Sequence, residues 1–554
     1  MICSPDAGNG KYSNPIIYED YSDPDVCRGK DDYYMTASSF SFVPGLPILK
    51  SNDLVHWNLV NYALRKIPEF RYREPLHGCG VWAPAIRFHN ETYYIIFPMP
   101  DEGLYMTSAK NPEGEWSEPV KLYDGAGLID PCPFFDDDGR VYLVNGVAKS
   151  RIGYKSVLMM SELSSDLTRI IKGPVKIYDG TADGNVTIEG PKLYKRRGFY
   201  YIFAPAGGVK TGWQVALRSR NLYDGWKPHI CLRQGSTGVN GPHQGALISD
   251  GAGNDFFIHF QDVFAAGRIT HLQPVNWVPD GEAEWPVIGR PIPGEKACGE
   301  PVLTWTKPCP LNDKKSVKAE PIADRKENNV NAYNGVNPPL SWQWNCNPEK
   351  EWLSVPASGR ICLTSVSAPK ERPLVDIRNL LLRRISAPEL TFSATLDLSG
   401  LADGGCAGIC LSGMSYGGIG IRREGDSLFV RKIVGHQVFD CGASYADEKV
   451  EEIPFERQQE MRFQVSVQIR NVNGVTAVSD KPPYGPGDEG KVLQPKEEAV
   501  LSIGPETGSD RGQKYSLSLP VEAGRWTGAK YGFFVISEIK HRIYAVSVEN
   551  ILLK

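Results

Sequence analysis

The chain has 554 residues, and 61 Lys and Arg against 65 Asp and Glu leave a net charge of -4. Signs this balanced and interspersed give no basic stripe for nucleic acid or an acidic lipid surface, and no run approaches the roughly 18 apolar residues that a membrane span needs. Hydrophobic content of 41% allows sizeable cores, and 56 Gly with 42 Pro predict many tight turns. The start, Met1-Ile2-Cys3-Ser4-Pro5, has neither the basic nor the apolar region of a secretory signal. That points to the cytoplasm for the sequence as it stands, or to a periplasmic or secreted place if a leader was removed. Twelve cysteines lack paired spacing, and Cys406 and Cys410 have no second pair to complete a zinc site. Free thiols packed in cores are the expectation.

Apolar residues mostly alternate with polar ones or form short aromatic runs, so the chain reads as all-β. Five times in the first three hundred residues a short Pro-containing segment precedes an aromatic strand. The segments hold Asp23-Pro24, Trp82-Ala83-Pro84, Asp130-Pro131, Glu189-Gly190-Pro191 and Gly241-Pro242-His243. The strands begin near Tyr33, Tyr93, Tyr142, Tyr200 and Phe256, each directly after a hairpin turn rich in Gly, Asn or Asp. Self-similarity at about 50–60 residues in a β-rich chain predicts a radial repeat, here a five-bladed β-propeller over residues 14–305. Residues 306–338, polar and poor in apolar side chains, read as a connector over the surface. From 339 to 554 alternating strands continue without a blade-length repeat, which predicts a two-sheet β-sandwich, with 480–498 as a long loop inside it.

Equivalent positions in a radial repeat sit at equal radius. Asp23, Asp130 and Glu189 would therefore meet at the central channel together with Trp82 and His243. Glycosidic bond hydrolysis needs one carboxylic acid to protonate the leaving oxygen and a second carboxylate as nucleophile or as base on water. A third acid close by raises the pKa of the proton donor. Asp before Pro is also a common turn starter, but three equivalent placements in one five-fold repeat favour a site. Asp25 has no matching acid in the other segments and lies past Pro24, so it is set aside from catalysis.

The run Tyr21-Ser22-Asp23-Pro24-Asp25-Val26, then Asp31 to Phe40, Pro44-Gly45-Leu46-Pro47-Ile48 and Ser51 to Trp57, resembles the opening of family 43 glycoside hydrolases. More narrowly it is similar to the two-domain β-xylosidase and α-L-arabinofuranosidase group. Gly80-Val81-Trp82-Ala83-Pro84, Ile129-Asp130-Pro131, Glu189-Gly190-Pro191 and Gly267 to Val275 continue the likeness. The resemblance implies a five-bladed propeller with a concanavalin-like β-sandwich that closes one side of the pocket. It implies an inverting, exo-acting hydrolase of terminal β-D-xylose or α-L-arabinofuranose on oligosaccharides or polysaccharide side chains. By motif, Asp23 is the general base, Glu189 the general acid, and Asp130 tunes and orients the acid. Arg268 matches an arginine that binds the terminal sugar, while Phe40 and Trp82 flank the pocket. Trp526, in Arg525-Trp526-Thr527-Gly528-Ala529, matches an aromatic pushed over the propeller mouth. No cofactor is required. His243 matches a histidine that meets a central water cluster or a calcium ion, which makes a structural calcium in the channel a candidate.

Two other classes compete. A propeller with a lectin-like sandwich can bind glycans without cleaving them, but a binder need not keep all three carboxylates. A protein-interaction propeller would carry Trp-Asp repeats of about 40–45 residues, which are absent.

Overall fold

The computed structural model describes residues 5–312, 338–357, 360–368, 372–440, 443–456, 461–472, 496–506, 514–538 and 545–553. Most of the expected connector and of the loop at 480–498 lies outside these residues.

Four antiparallel strands make each of the first three sheets: Asp25–Arg28 to Asn58–Leu64, Ala85–His89 to Val120–Asp124, and Leu128–Phe135 to Ile170–Asp179. The fourth runs from Lys192–Arg196 to Lys227–Arg233, and the fifth from His243–Ser249 to Ala283–Ile288. In every sheet the strand after the Pro-containing segment is an edge strand of the order, and the aromatic strand pairs beside it. The first strand of each of the first three sheets contacts the next sheet, the second and third strands of the fourth contact the first strand of the fifth, and that strand lies against the first strand of the first sheet, so the ring closes.

What holds the ring is apolar packing between neighbours. Ile48 and Tyr34 meet Ile95 and Phe97 between the first two sheets; Ile96 and Leu104 meet Leu143 and Val157 between the next two. Val144 and Met160 pack on Ile202 and Val215, Phe203 and Ala216 on Phe257 and Val287, and Ile258 and Leu272 return to Val26 and Met35. Aromatic strands suit this arrangement because large rings fill the wedge between twisted sheets. Termini close the circle as well. Lys11–Ser13 pairs with Thr304–Thr306, and the Asn14 side chain donates to the carbonyls of Leu272 and Val302 at 2.8 and 2.7 Å. After the fifth sheet the chain returns to the fourth, where Gly299 lies parallel to Leu232. The repeat gave no sign of that return, since it depends on a glycine whose Cβ would sit 1.9 Å from the Ile288 carbonyl oxygen. Residues 309–312 cross the turns of the fifth and first sheets, with Gly251 N–H donating to the Cys309 carbonyl and the Asn312 amide to that of Asp31.

The remaining strands form two sheets, one from Gln343–Trp344 to Ala443–Pro454 and one from Leu353–Ala357 to Tyr515–Pro520. Trp342, Phe392, Val465, Leu501, Tyr531 and Phe533 fill the space between them. Cys406 and Cys410 are buried free thiols, as expected. This sandwich is bonded to the propeller by backbone: Val43 and Trp344 exchange N–H···O bonds of 3.1 and 2.6 Å, and the Gln343 amide donates to the Pro44 carbonyl at 2.8 Å.

Candidate active site

Asp23 and Asp130 both sit at φ 55, on the left-handed side, each immediately before a proline. Such a conformation costs on the order of 1–3 kcal/mol and persists where the surroundings over-determine it. A residue before Pro ordinarily extends, so an exception at two equivalent positions is structure spent on aiming a side chain.

Asp23 is buried and fully engaged. Ser38 Oγ donates to its Oδ2 at 2.6 Å and Ser22 Oγ to the same atom at 3.0 Å. Arg268 Nη1 donates to Oδ1 and Oδ2 at 2.9 and 3.1 Å and to Ser22 Oγ at 2.7 Å. The guanidinium lies over the Phe260 ring at 4.7 Å. Burial works against its charge, but Asp23, Asp262 and Asp20 outweigh burial and push its pKa up. Arg268 is thus a fixed cation beside Asp23, its fork pre-organised.

Asp130 is the most enclosed of the three. Its Oδ2 accepts the Gly190 N–H at 2.8 Å. Burial, then the charges of Glu189 and Asp23, hold its pKa well above the ordinary carboxylate range against the opposing pull of Gly190 and Lys192. Glu189 follows directly in space, because Gly190 is the residue that Asp130 accepts from. Gly190 has φ 56, and a Cβ there would come within 2.6 Å of the Gln244 side chain. A side chain at Gly190 would have to displace Gln244 from beside the turn between Glu189 and Pro191. The Glu189 side chain keeps 29% of its surface exposed, enough to meet a ligand.

His243 is 2.9 Å from Glu189 Oε1 through Nε2, and its Nδ1 is buried with no hydrogen-bond partner among the described residues. The resemblance set this histidine against water or a cation; the structure turns it onto the acid. A channel calcium fits poorly here. Calcium takes roughly six to eight oxygen ligands, whereas His243 offers one nitrogen, and the described residues contain no group of three or more His, Cys, Asp or Glu suited to a metal.

Three aromatic residues gather in a cluster of their own. Phe40, at φ 52, exchanges backbone hydrogen bonds with Val81, and its ring lies 6.5 Å from that of Trp82. Trp82 is fixed by Nε1 donating to the Gly78 carbonyl at 3.0 Å and by the Arg151 guanidinium over its ring at 4.9 Å. Arg151 is held in turn by Asp101, at 3.0 and 3.1 Å. Trp526 comes from the sandwich, stands edge-on to Trp82 at 6.4 Å between centroids, and is 46% exposed. A core tryptophan would be covered; this one is not.

The residues singled out in the sequence fall into three groups: Asp23 with Arg268, Asp130 with Glu189 and His243, and Phe40 with Trp82 and Trp526. Asp25 is fully buried between the first two sheets, accepting from Arg87 Nη1 and the Ile86 N–H at 2.7 Å each. Sequence reasoning passed over Ser22, Ser38, Arg151 and Asp101. Ser22 stood inside the motif, but a hydroxyl contact across 15 residues, such as Ser38 to Asp23, leaves no local pattern.

Residues 12–283 match Glycosyl hydrolases family 43, and residues 331–483 match the Beta xylosidase C-terminal Concanavalin A-like domain. A putative beta-xylosidase of Xylanibacter ruminicola is 37% identical over 79% of this chain and 77% of its own length. A non-reducing end alpha-L-arabinofuranosidase of Bacteroides ovatus is 31% identical over 50% of this chain, which spans 54% of that relative. Among solved structures, a GH43 glycoside hydrolase engineered to show both endo-xylanase and exo-arabinofuranosidase activity shares the fold at TM-score 0.79. It is 19% identical and aligns over 98% of this chain and 99% of its own. Ordered motifs, a ring of five sheets, a sandwich bonded to it and this likeness agree: the chain belongs to glycosyl hydrolases family 43 and is a glycoside hydrolase.

Proposed function

We propose that the chain releases terminal pentose, as β-D-xylose or α-L-arabinofuranose, from the non-reducing ends of plant-type oligosaccharides or polysaccharide side chains, with inversion. The observation that carries this reading is the different surroundings of three neighbouring carboxyls. Asp23, clamped by Arg268, Ser22 and Ser38, suits the base that takes a proton from water. Glu189, part-exposed against His243, suits the acid that protonates the departing oxygen. Asp130, buried beside it and itself held above the ordinary carboxylate range by burial and by the charges of Glu189 and Asp23, suits the residue that orients and tunes the acid. Water attacks the anomeric carbon as its proton passes to Asp23; the glycosidic bond breaks as Glu189 gives its proton to the leaving oxygen. The two carboxyls are then ready for re-equilibration with solvent. No further group is needed for that cycle.

The test is hydrolysis of an aryl β-D-xylopyranoside and an aryl α-L-arabinofuranoside side by side. Turnover of at least one, with aryl hexopyranosides at least a hundredfold slower in kcat/KM, is expected; preference for a hexoside would overturn the pentose reading.

The pocket wall carries a second expectation. Trp526→Ala should raise KM about tenfold, roughly the 1.4 kcal/mol of one ring packed on a sugar face, with circular dichroism unchanged. An unaltered KM would leave the sandwich with no part in binding.

A further inference from the structure

Asp20 lies outside every motif that brought the catalytic carboxyls together, three residues before Asp23, and it is buried at 6% exposure. Its two oxygens accept from two domains. Oδ1 takes the Arg268 backbone N–H at 3.0 Å, and Oδ2 takes the Gly528 N–H at 2.8 Å. Arg268 is the residue that clamps Asp23, and Gly528 stands two positions after Trp526.

The surroundings leave little room for another arrangement. Tyr21 N–H donates to the Arg268 carbonyl at 3.2 Å, so residues 20–21 hold both backbone polar groups of Arg268. Ala529 N–H donates to the Ala265 carbonyl at 2.8 Å. Gly267 has φ 74, and a Cβ on it would lie 2.5 Å from Gly528 N and 2.6 Å from Asp20 Oδ1. A Cβ on Gly528 would lie 2.9 Å from the Ala266 carbonyl carbon and oxygen. Two glycines, one from each domain, thus allow the sandwich loop to approach the Arg268 hairpin closely enough for one carboxylate to bridge them. An ionised acceptor makes both bonds stronger than neutral ones.

We propose that Asp20 is a positioning residue that ties the Trp526 loop to the backbone of Arg268, fixing the aromatic lid relative to the base. Both Asp20 oxygens are taken up by backbone N–H groups. The effect of Asp20 on turnover rests on the lid reading of Trp526 above, whereas its effect on the loop does not.

Three variants and two readouts test this. In Asp20→Ala, amide hydrogen exchange of residues 524–529 in the full chain should quicken at least tenfold, and KM should rise about tenfold while kcat stays within threefold. Asp20→Asn, which keeps the shape and one acceptor oxygen, should fall between wild type and Ala on both readouts. Gly528→Ala leaves Asp20 intact but lifts the loop off Ala266, and should reproduce the Asp20→Ala result. Combining Asp20→Ala with Trp526→Ala should cost no more in kcat/KM than the larger single change, because both act through one element. Unchanged exchange at 524–529 overturns the proposal whatever the kinetics, and so does faster exchange with single losses that simply multiply. If Trp526→Ala alone is silent while Asp20→Ala quickens exchange, the tie stands and the lid reading falls.

Discussion

Glu189→Ala should separate substrates by their leaving groups. On an unactivated oligosaccharide, whose departing alkoxide must be protonated, kcat/KM is expected to fall about 10,000-fold, the upper end of what a positioned acid supplies. On an aryl glycoside with a strongly acidic phenol the loss should shrink to about tenfold, since that leaving group departs as an anion. The geometry behind this is specific. Glu189 is the part-exposed carboxyl of the three, held at Oε1 by His243 at 2.9 Å, and its neighbour Asp130 is enclosed and bonded to Gly190. Steady-state rates on the two substrates check it. Equal losses on both would take the acid's role away from Glu189.

Asp23→Ala should behave differently, with about a 10,000-fold loss on both substrates. Activating the leaving group does nothing for a water molecule that has lost its base. The site is also built around this carboxylate: Arg268, Ser22 and Ser38 all donate to it, and its removal leaves a buried guanidinium without its main partner. Asp23→Asn keeps the shape while abolishing basicity, but its NH2 cannot accept where one carboxylate oxygen does, so it should be as slow as Ala and lose less thermal stability than Ala. Kinetics on both substrates, with a thermal melt of each variant, decide the matter; an Asn variant within tenfold of wild type would show that Asp23 only holds Arg268.

The ring was legible in the sequence because its cause is local. Each blade needs a turn, an aromatic strand to fill the wedge, and a Pro-containing entry, and those signals recur at a fixed spacing around Tyr33, Tyr93, Tyr142, Tyr200 and Phe256. Equal radius then brought Asp23, Asp130 and Glu189 together without any coordinates. The separate duties of the three came from resemblance, because spacing cannot say which carboxyl is buried and which faces an opening. The conformation at φ 55 of Asp23 and Asp130 was also hidden: a residue before Pro is expected to extend, and only the packed ring enforces the exception. His243 shows the limit most clearly. Its place on the fifth blade was readable, but its bond to Glu189 joins residues 54 apart. Across the domains the gap widens to 508 residues between Asp20 and Gly528, a pairing that no local pattern encodes.

The central claim is that water, activated by Asp23, attacks from the side opposite the bond that Glu189 protonates. The configuration of the first-formed sugar reports this directly. Proton NMR recorded within the first minutes of hydrolysis of a β-D-xyloside should show α-xylose appearing first, before mutarotation restores the mixture. Initial appearance of β-xylose would mean a covalent glycosyl intermediate and a nucleophilic carboxylate at about 5 Å from the acid, and would contradict the assignment of Asp23 as base.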